Sequence, residues 1–213
     1  GNREVVGHRV SKAWAKAQHI YFVIRFSRPF HSGLVLDMSK NPAESARLAN
    51  GRELTGLFEF YHQGEPLVVQ VGLSGVSIEG AYRNLESEAR HFDFDRYKKE
   101  TQELWREALS AIELEGGSEA QKTVFYTALY HNYLHPNLWS DTDGRYRGRD
   151  NRFYEVEKGD IYTVFSLWDT YRATKPLYAL LQPRRLADFA RTMIAQSEQG
   201  GYLPVWELSA NET

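Results

Sequence analysis

The heptapeptide Ser166-Leu167-Trp168-Asp169-Thr170-Tyr171-Arg172 sets an indole, a carboxylate and a guanidinium within about one turn of a helix start. Trp168 offers a flat apolar face and Asp169 two acceptor oxygens, the pair that holds a hydroxyl-rich ring such as a sugar. The same spacing also makes Asp169 the acidic member of a capping box opened by Ser166. Both readings stand on the residues alone. Further on, Leu203-Pro204-Val205-Trp206-Glu207-Leu208-Ser209-Ala210-Asn211-Glu212-Thr213 puts a tryptophan, two carboxylates and an asparagine in what reads as an extended loop. That mixture suits sugar binding, or a solvated connector.

Three other stretches are weaker. His131 and His135, at i and i+4 of one predicted helix, have a spacing that chelates a metal, yet no Glu adjoins His131 as in the zinc-protease motif. A packing or helix-end role is the competing reading. Asp141-x-Asp143-Gly144 resembles the opening of a calcium loop, but the sixth and twelfth positions of an EF-hand are here Tyr146 and Arg152, which favours a turn. Arg145-Tyr146-Arg147-Gly148-Arg149-Asp150-Asn151-Arg152 has the basic and aromatic mixture of a single-strand nucleic-acid contact, against an exposed hairpin with local ion pairs.

The elements that position these residues change character along the chain. His19–Phe26, Gly33–Met38, Thr55–Tyr61 and Pro66–Leu73 are short β-branched and aromatic runs, which predict strands. His62-Gln63-Gly64-Glu65-Pro66 is turn chemistry and predicts an antiparallel hairpin between the last two. Such close spacing points to a sandwich. From Ile78 the apolar period becomes helical: a helix over 78–90, then a second from about Asp95 with Tyr97, Leu104, Trp105, Ala108, Leu109 and Ile112 on its apolar face.

Gly116-Gly117 breaks the chain, and Ser118-Glu119-Ala120-Gln121 predicts a capping box opening a helix to about His135, stopped by Pro136. Asp143-Gly144 predicts a tight turn between extended pieces, and Ser166 a helix continuing to Gln182. A last helix, with Leu186, Phe189, Ala190, Met193 and Ile194 as its buried side, should end in a left-handed stop at Gly200-Gly201.

Composition bounds the function. The 213 residues can bury a real core, and 26 Lys+Arg against 28 Asp+Glu give a net charge of −2, which argues against a strongly basic nucleic-acid binder. No apolar run is longer than five residues, the length of Ile20–Ile24, which is far short of a membrane span. With no cysteine there is no disulfide, thiolate metal site or thiol nucleophile. Aromatic residues are 14% of the chain; most read as core, while Trp and Tyr can also stack on a ligand's apolar face.

The two tryptophan-bearing stretches, together with Phe125-Tyr126-Thr127-Ala128-Leu129-Tyr130-His131, Asp141-Thr142-Asp143-Gly144-Arg145-Tyr146-Arg147-Gly148, Gly72-Leu73-Ser74-Gly75-Val76-Ser77 and Glu115-Gly116-Gly117-Ser118, resemble family 92 of the glycoside hydrolases. The resemblance covers roughly residues 66 to 213. It implies calcium-dependent exo-α-mannosidases of bacteria, acting on mannose-containing glycans outside the cytoplasm, periplasmic or secreted.

The fold it implies is α+β: the C-terminal part of a β-sandwich (1–77), a helical linker (78–117), and the first helices of an (α/α)6 toroid (118–213). The mechanism it implies is single-step inversion, with a general acid and a general base about 6.5–9.5 Å apart. Those carboxylates and most calcium ligands are expected beyond Thr213, the chain being an internal slice of a longer enzyme. Trp168 and Asp169 match the family's terminal-mannose pocket, and Trp206, Asn211 and Glu212 its next shared loop. From the residues themselves, a non-catalytic carbohydrate-binding module and a helical interaction domain also remain open.

Overall fold

The computed structural model describes residues 2–39, 47–61, 64–209 and 211–212. Its first part is built of strands: β1 (Glu4–Ser11), β2 (Gln18–Phe26), β3 (Ser32–Asp37), β4 (Leu54–Glu59) and β5 (Val69–Ser74). β2 lies between β1 and β5 in one sheet, and β3 pairs with β4 in another, in register from Ser32 opposite Glu59 to Asp37 opposite Leu54. The hairpin expected between β4 and β5 is therefore not made. Instead β4 is taken by β3 and β5 by β2. The connecting His62 and Gln63 lie outside the described residues.

Helices follow: α1 (Ile78–Glu88), α2 (Phe94–Leu109) and α3 (Glu119–Asn132). Each start is capped by a side chain on the amide three residues on. Ser77 accepts from Gly80 N at 3.0 Å, Asp93 from Arg96 N at 3.0 Å, and Ser118 from Gln121 N, with Gln121 reaching back to Ser118 N at 2.8 Å. α3 ends before the expected His135. Residues preceding proline avoid helical backbone, so the chain leaves the helix a turn early. On α2, Leu104 is exposed, contrary to expectation, while Trp105, Ala108 and Leu109 pack on the core.

The remainder interleaves short strand pairs with helices: β6 (Asn137–Leu138), β7 (Arg145–Arg147), β8 (Phe153–Glu155), β9 (Tyr162–Thr163), β10 (Phe165–Ser166), α4 (Leu167–Thr170), α5 (Thr174–Leu181), α6 (Pro183–Gly200), β11 (Trp206–Leu208) and β12 (Asn211–Glu212). The single helix expected over 166–182 is thus two, parted at Tyr171–Ala173. The segment expected to be a loop after Gly201 is a hairpin, β11–β12, added to β10. α6 ends as expected, on Gly201 at φ 82°. Its buried side is Asp188, Phe189, Thr192 and Gln196, while Ala190 and Ile194 face outward.

By contact the chain forms two compact units, one of residues 1–5 and 24–71, the other of 6–23 and 72–213. The first centres on the rings of Phe26, Phe30, Phe58 and Phe60. The second has a core of Leu129, Tyr133, Tyr162, Phe165, Tyr178 and Phe189 and a smaller cluster of Val23, Ala81 and Leu85. No helix of the described residues is long and apolar enough to cross a membrane.

Candidate functional site

Within the second unit α3, α4, α5 and β10–β11 surround a cavity of about 640 Å³. Its apolar wall is Trp14, Pro136, Val164, Phe165, Trp206 and Leu208; its polar groups come from His131, Asn132, His135, Ser166, Asp169, Thr170, Thr174 and Lys175. Apolar area with a few convergent polar groups is the common build of a small-ligand site.

Local chemistry sets this geometry. Glu207 on β11 is fully buried and accepts from Thr163 Oγ1 at 2.8 Å and from Val164 N at 3.0 Å. Thr163 Oγ1 in turn accepts from Ser209 N at 2.7 Å. The buried carboxylate thereby holds Val164 at φ 65°, a conformation costly for a β-branched residue, and so fixes one wall of the cavity. Opposite, Thr174 Oγ1 donates to Asn132 Oδ1 at 2.9 Å and Tyr178 OH donates to Asn132 O at 2.8 Å, tying α5 to the end of α3.

Asp169 does not complete a capping box. Ser166 makes no side-chain cap bond; its hydroxyl donates to Asp169 Oδ2 instead. Asp169 Oδ1 has no hydrogen bond among the described residues, and the side chain lines the cavity. Trp206 lines it too, since Ser166 and Trp206 are register partners across β10 and β11. The structure thus brings Asp169 and Trp206 together. Trp168 is 73% exposed and off the cavity wall.

Asn211 donates to Ala17 O at 3.2 Å and Ser209 O at 3.0 Å and lines a separate cavity of about 90 Å³ with Arg147, Arg149 and Asn151. Glu212 pairs through its backbone with Glu207. Its side chain lies outside what the structure describes.

The other candidates resolve by their partners. Asp141 is buried, accepting from Ser74 Oγ at 2.6 Å and Asn84 Nδ2 at 2.8 Å; burial pushes its carboxyl up despite these bonds. Asp143 pairs with Arg83 at 2.8 Å and Arg145 at 2.9 Å. The loop is a turn, closed by Gly144 N on Asp141 O at 2.8 Å. The basic stretch is the β7–β8 hairpin, but not an exposed one throughout: Arg147 is 6% exposed, donating to Gly75 O and Asn151 Oδ1 and lying over the Phe153 ring.

His131 and His135 both reach the cavity, with no third ligand: among the described residues no group of three or more His, Cys, Asp or Glu converges. These residues do not make a calcium site. Trp14 and Lys175 carry no local sequence signal. Trp14 sits in an Ala/Lys-rich segment without a strand pattern, and Lys175 in a helical turn that any lysine could occupy.

The family model described as the glycosyl hydrolase family 92 N-terminal domain matches residues 1–74, and that of the family 92 catalytic domain matches residues 80–213. These models place the chain among the glycosidases. It belongs to glycoside hydrolase family 92, and its α+β order corresponds to the β-domain and the start of the helical toroid of that family.

The family GH92 α-mannosidase BT3965 of Bacteroides thetaiotaomicron is similar over 100% of this chain and 30% of its own, at 30% identity and TM-score 0.89. The inverting mannosidase BT2199 of the same organism is similar over 100% of this chain and 29% of its own, at 25% identity and TM-score 0.83. A secreted glycosidase of Arthroderma benhamiae, described as uncharacterized, is 26% identical over 107 residues, 48% of this chain and 13% of that protein. The chain spans about 30% of the length of the solved relatives it matches.

Proposed function

We propose that the whole protein is an α-mannosidase that removes terminal α-linked mannose from glycans in one inverting step, and that the cavity holding Asp169 and Trp206 receives part of that substrate. What carries this reading is the resemblance along the full chain to BT3965, which has also been solved with mannoimidazole, a match at 31% identity and TM-score 0.89. The cavity fits it chemically. Asp169 Oδ1 is an acceptor for a sugar hydroxyl, and Trp206 an apolar face for the ring's C–H side. Trp168 and Asn211 are proposed as further glycan contacts outside the cavity, and Glu212 as another glycan contact.

The proposal has a division of labour. General acid and base and most ligands of the calcium ion are assigned to parts of the protein outside these 213 residues. The division into a β-sandwich part (1–77), a linker (78–117) and the toroid start (118–213) belongs to the same reading. So does export to the periplasm, cell surface or medium, for which the description of the Arthroderma benhamiae relative as secreted is the support.

The test is Asp169→Asn in the whole protein. Losing a charge-assisted hydrogen bond to the sugar should cost roughly 1.5–3 kcal/mol of transition-state binding, or about tenfold to a hundredfold in kcat/KM. Because the cap bond is absent, Tm should hardly change. Unchanged kinetics with a lowered Tm would reverse the assignment.

A further inference from the structure

Lys175 stands in the first turn of α5 with its ammonium against a wall of three rings: 4.4 Å from the Phe189 centroid, 5.3 Å from Phe165 and 6.0 Å from Tyr178. Its other side opens on the large cavity. The charged and titratable groups that line the cavity with it are Asp169 on α4, His131 on α3 and His135 in the turn that follows, and the Tyr178 phenol ring lies beside it on α5. None forms an ion pair or hydrogen bond with its Nζ among the described residues.

An aliphatic amine in these surroundings is held by ring faces alone. Rings favour the ammonium only modestly, and a helix N-terminus works against it. Burial lowers the pKa to about 8, with no neighbouring charge contributing. Near neutral pH a useful fraction is therefore the free amine, which is nucleophilic. The chain has no cysteine to compete for an electrophile.

We propose that Lys175 is a carbonyl-capturing amine, the residue at which aldehydes small enough to enter the cavity, open-chain reducing sugars included, condense with this protein. The Nζ lone pair attacks the carbonyl carbon and the oxygen takes up a proton. The carbinolamine then loses water to give an imine, with no change of oxidation state. Removing a partly desolvated charge favours the product, and the apolar wall slows the return attack of water. This chemistry is separate from hydrolysis of a glycoside and does not depend on it.

The experiment exposes the whole protein at pH 7.5 to limiting ¹³C-formaldehyde with cyanoborohydride to trap the imine, then maps the lysines of this chain by peptide mass. Lys175 should be alkylated roughly tenfold faster than exposed Lys12, Lys16, Lys98, Lys99 and Lys158. Its ¹³C resonance should titrate well below the usual lysine value of 10.5. Lys175→Arg should remove that adduct and leave the others.

Equal rates across the set, or labelling of Lys175 only after unfolding, would overturn the proposal. A parallel reaction with mannose tests the ligand class: labelling by formaldehyde but not by mannose would refute capture of reducing sugars. Turnover of an aryl α-mannoside by the same unlabelled sample reports on the hydrolase reading independently.

Discussion

Between Ser166 and Asp169 a hydroxyl meets a carboxylate side chain to side chain, where sequence allowed a backbone cap, and that difference frees Asp169 for the cavity. Lys175 is the other residue whose surroundings matter more than its type. Its folded pKa of about 8 lies below the usual lysine value of 10.5, so between these pH values the unfolded chain holds a proton the folded one lacks. Stability therefore rises with pH across that window, and the full cost of burying the charge is felt below pH 8.

Lys175→Met should accordingly stabilise the protein at pH 7 by about 1–2 kcal/mol, after discounting for solvent at the cavity mouth and for the lost ring contact. Thermal melts of both forms at pH 7 and pH 10 check this, with the gain expected to shrink at the higher pH. The sequence could suggest Asp169 and Trp206 because aromatic–carboxylate pairs are locally visible. Lys175 was illegible because its rings come from β10, the middle of α5 and α6. Separating the two roles of Asp169 needed the Ser166 hydroxyl direction, which spacing does not encode.

Among elements, helix starts were the most legible, since a cap is written within four residues. The box at Ser118 is complete, so Ser118→Ala should cost about 1 kcal/mol, visible in urea unfolding. Strand pairing was less legible. Thr55–Tyr61 and Pro66–Leu73 read as a hairpin because a turn lies between them, yet each pairs with an earlier strand, a choice made by partners far along the chain.

Close approach is another non-local fact. A methyl group at Gly72 on β5 would lie 2.4 Å from Ala81 O and 2.7 Å from Leu85 Cβ on α1. Gly72→Ala should therefore destabilise by about 1–3 kcal/mol, as measured by denaturant midpoint. Glu207 works on a similar scale, joining β11 to the β9–β10 turn. Glu207→Ala strands the Thr163 hydroxyl and the Val164 amide and should cost roughly 2–4 kcal/mol with weakened sugar binding, whereas a distant surface Glu→Ala should cost nearly nothing.

For the molecule as a whole, the change from strands to helices near residue 78 was legible because the apolar period changes there, and the structure follows it. The short strand pairs among the helices were not, since two- and three-residue strands carry no period. The 213-residue chain by itself should show no turnover of an aryl α-mannoside with calcium present, because the single-step inversion proposed for the whole protein needs two carboxylates that the proposal assigns outside it. Steady release of the aryl alcohol would contradict that.

One feature of the compact units bears on how such proteins are inherited. Residues 6–23, which fall in the part matched by the N-terminal family model, belong by contact with residues 72–213, and they carry Trp14 to the cavity. A crossover between two relatives at the seam near residue 75 would therefore graft one parent's indole into the other parent's cavity. Ancestral exchange at that seam would survive only where the pair still matched, so the two regions should co-vary as a single heritable block.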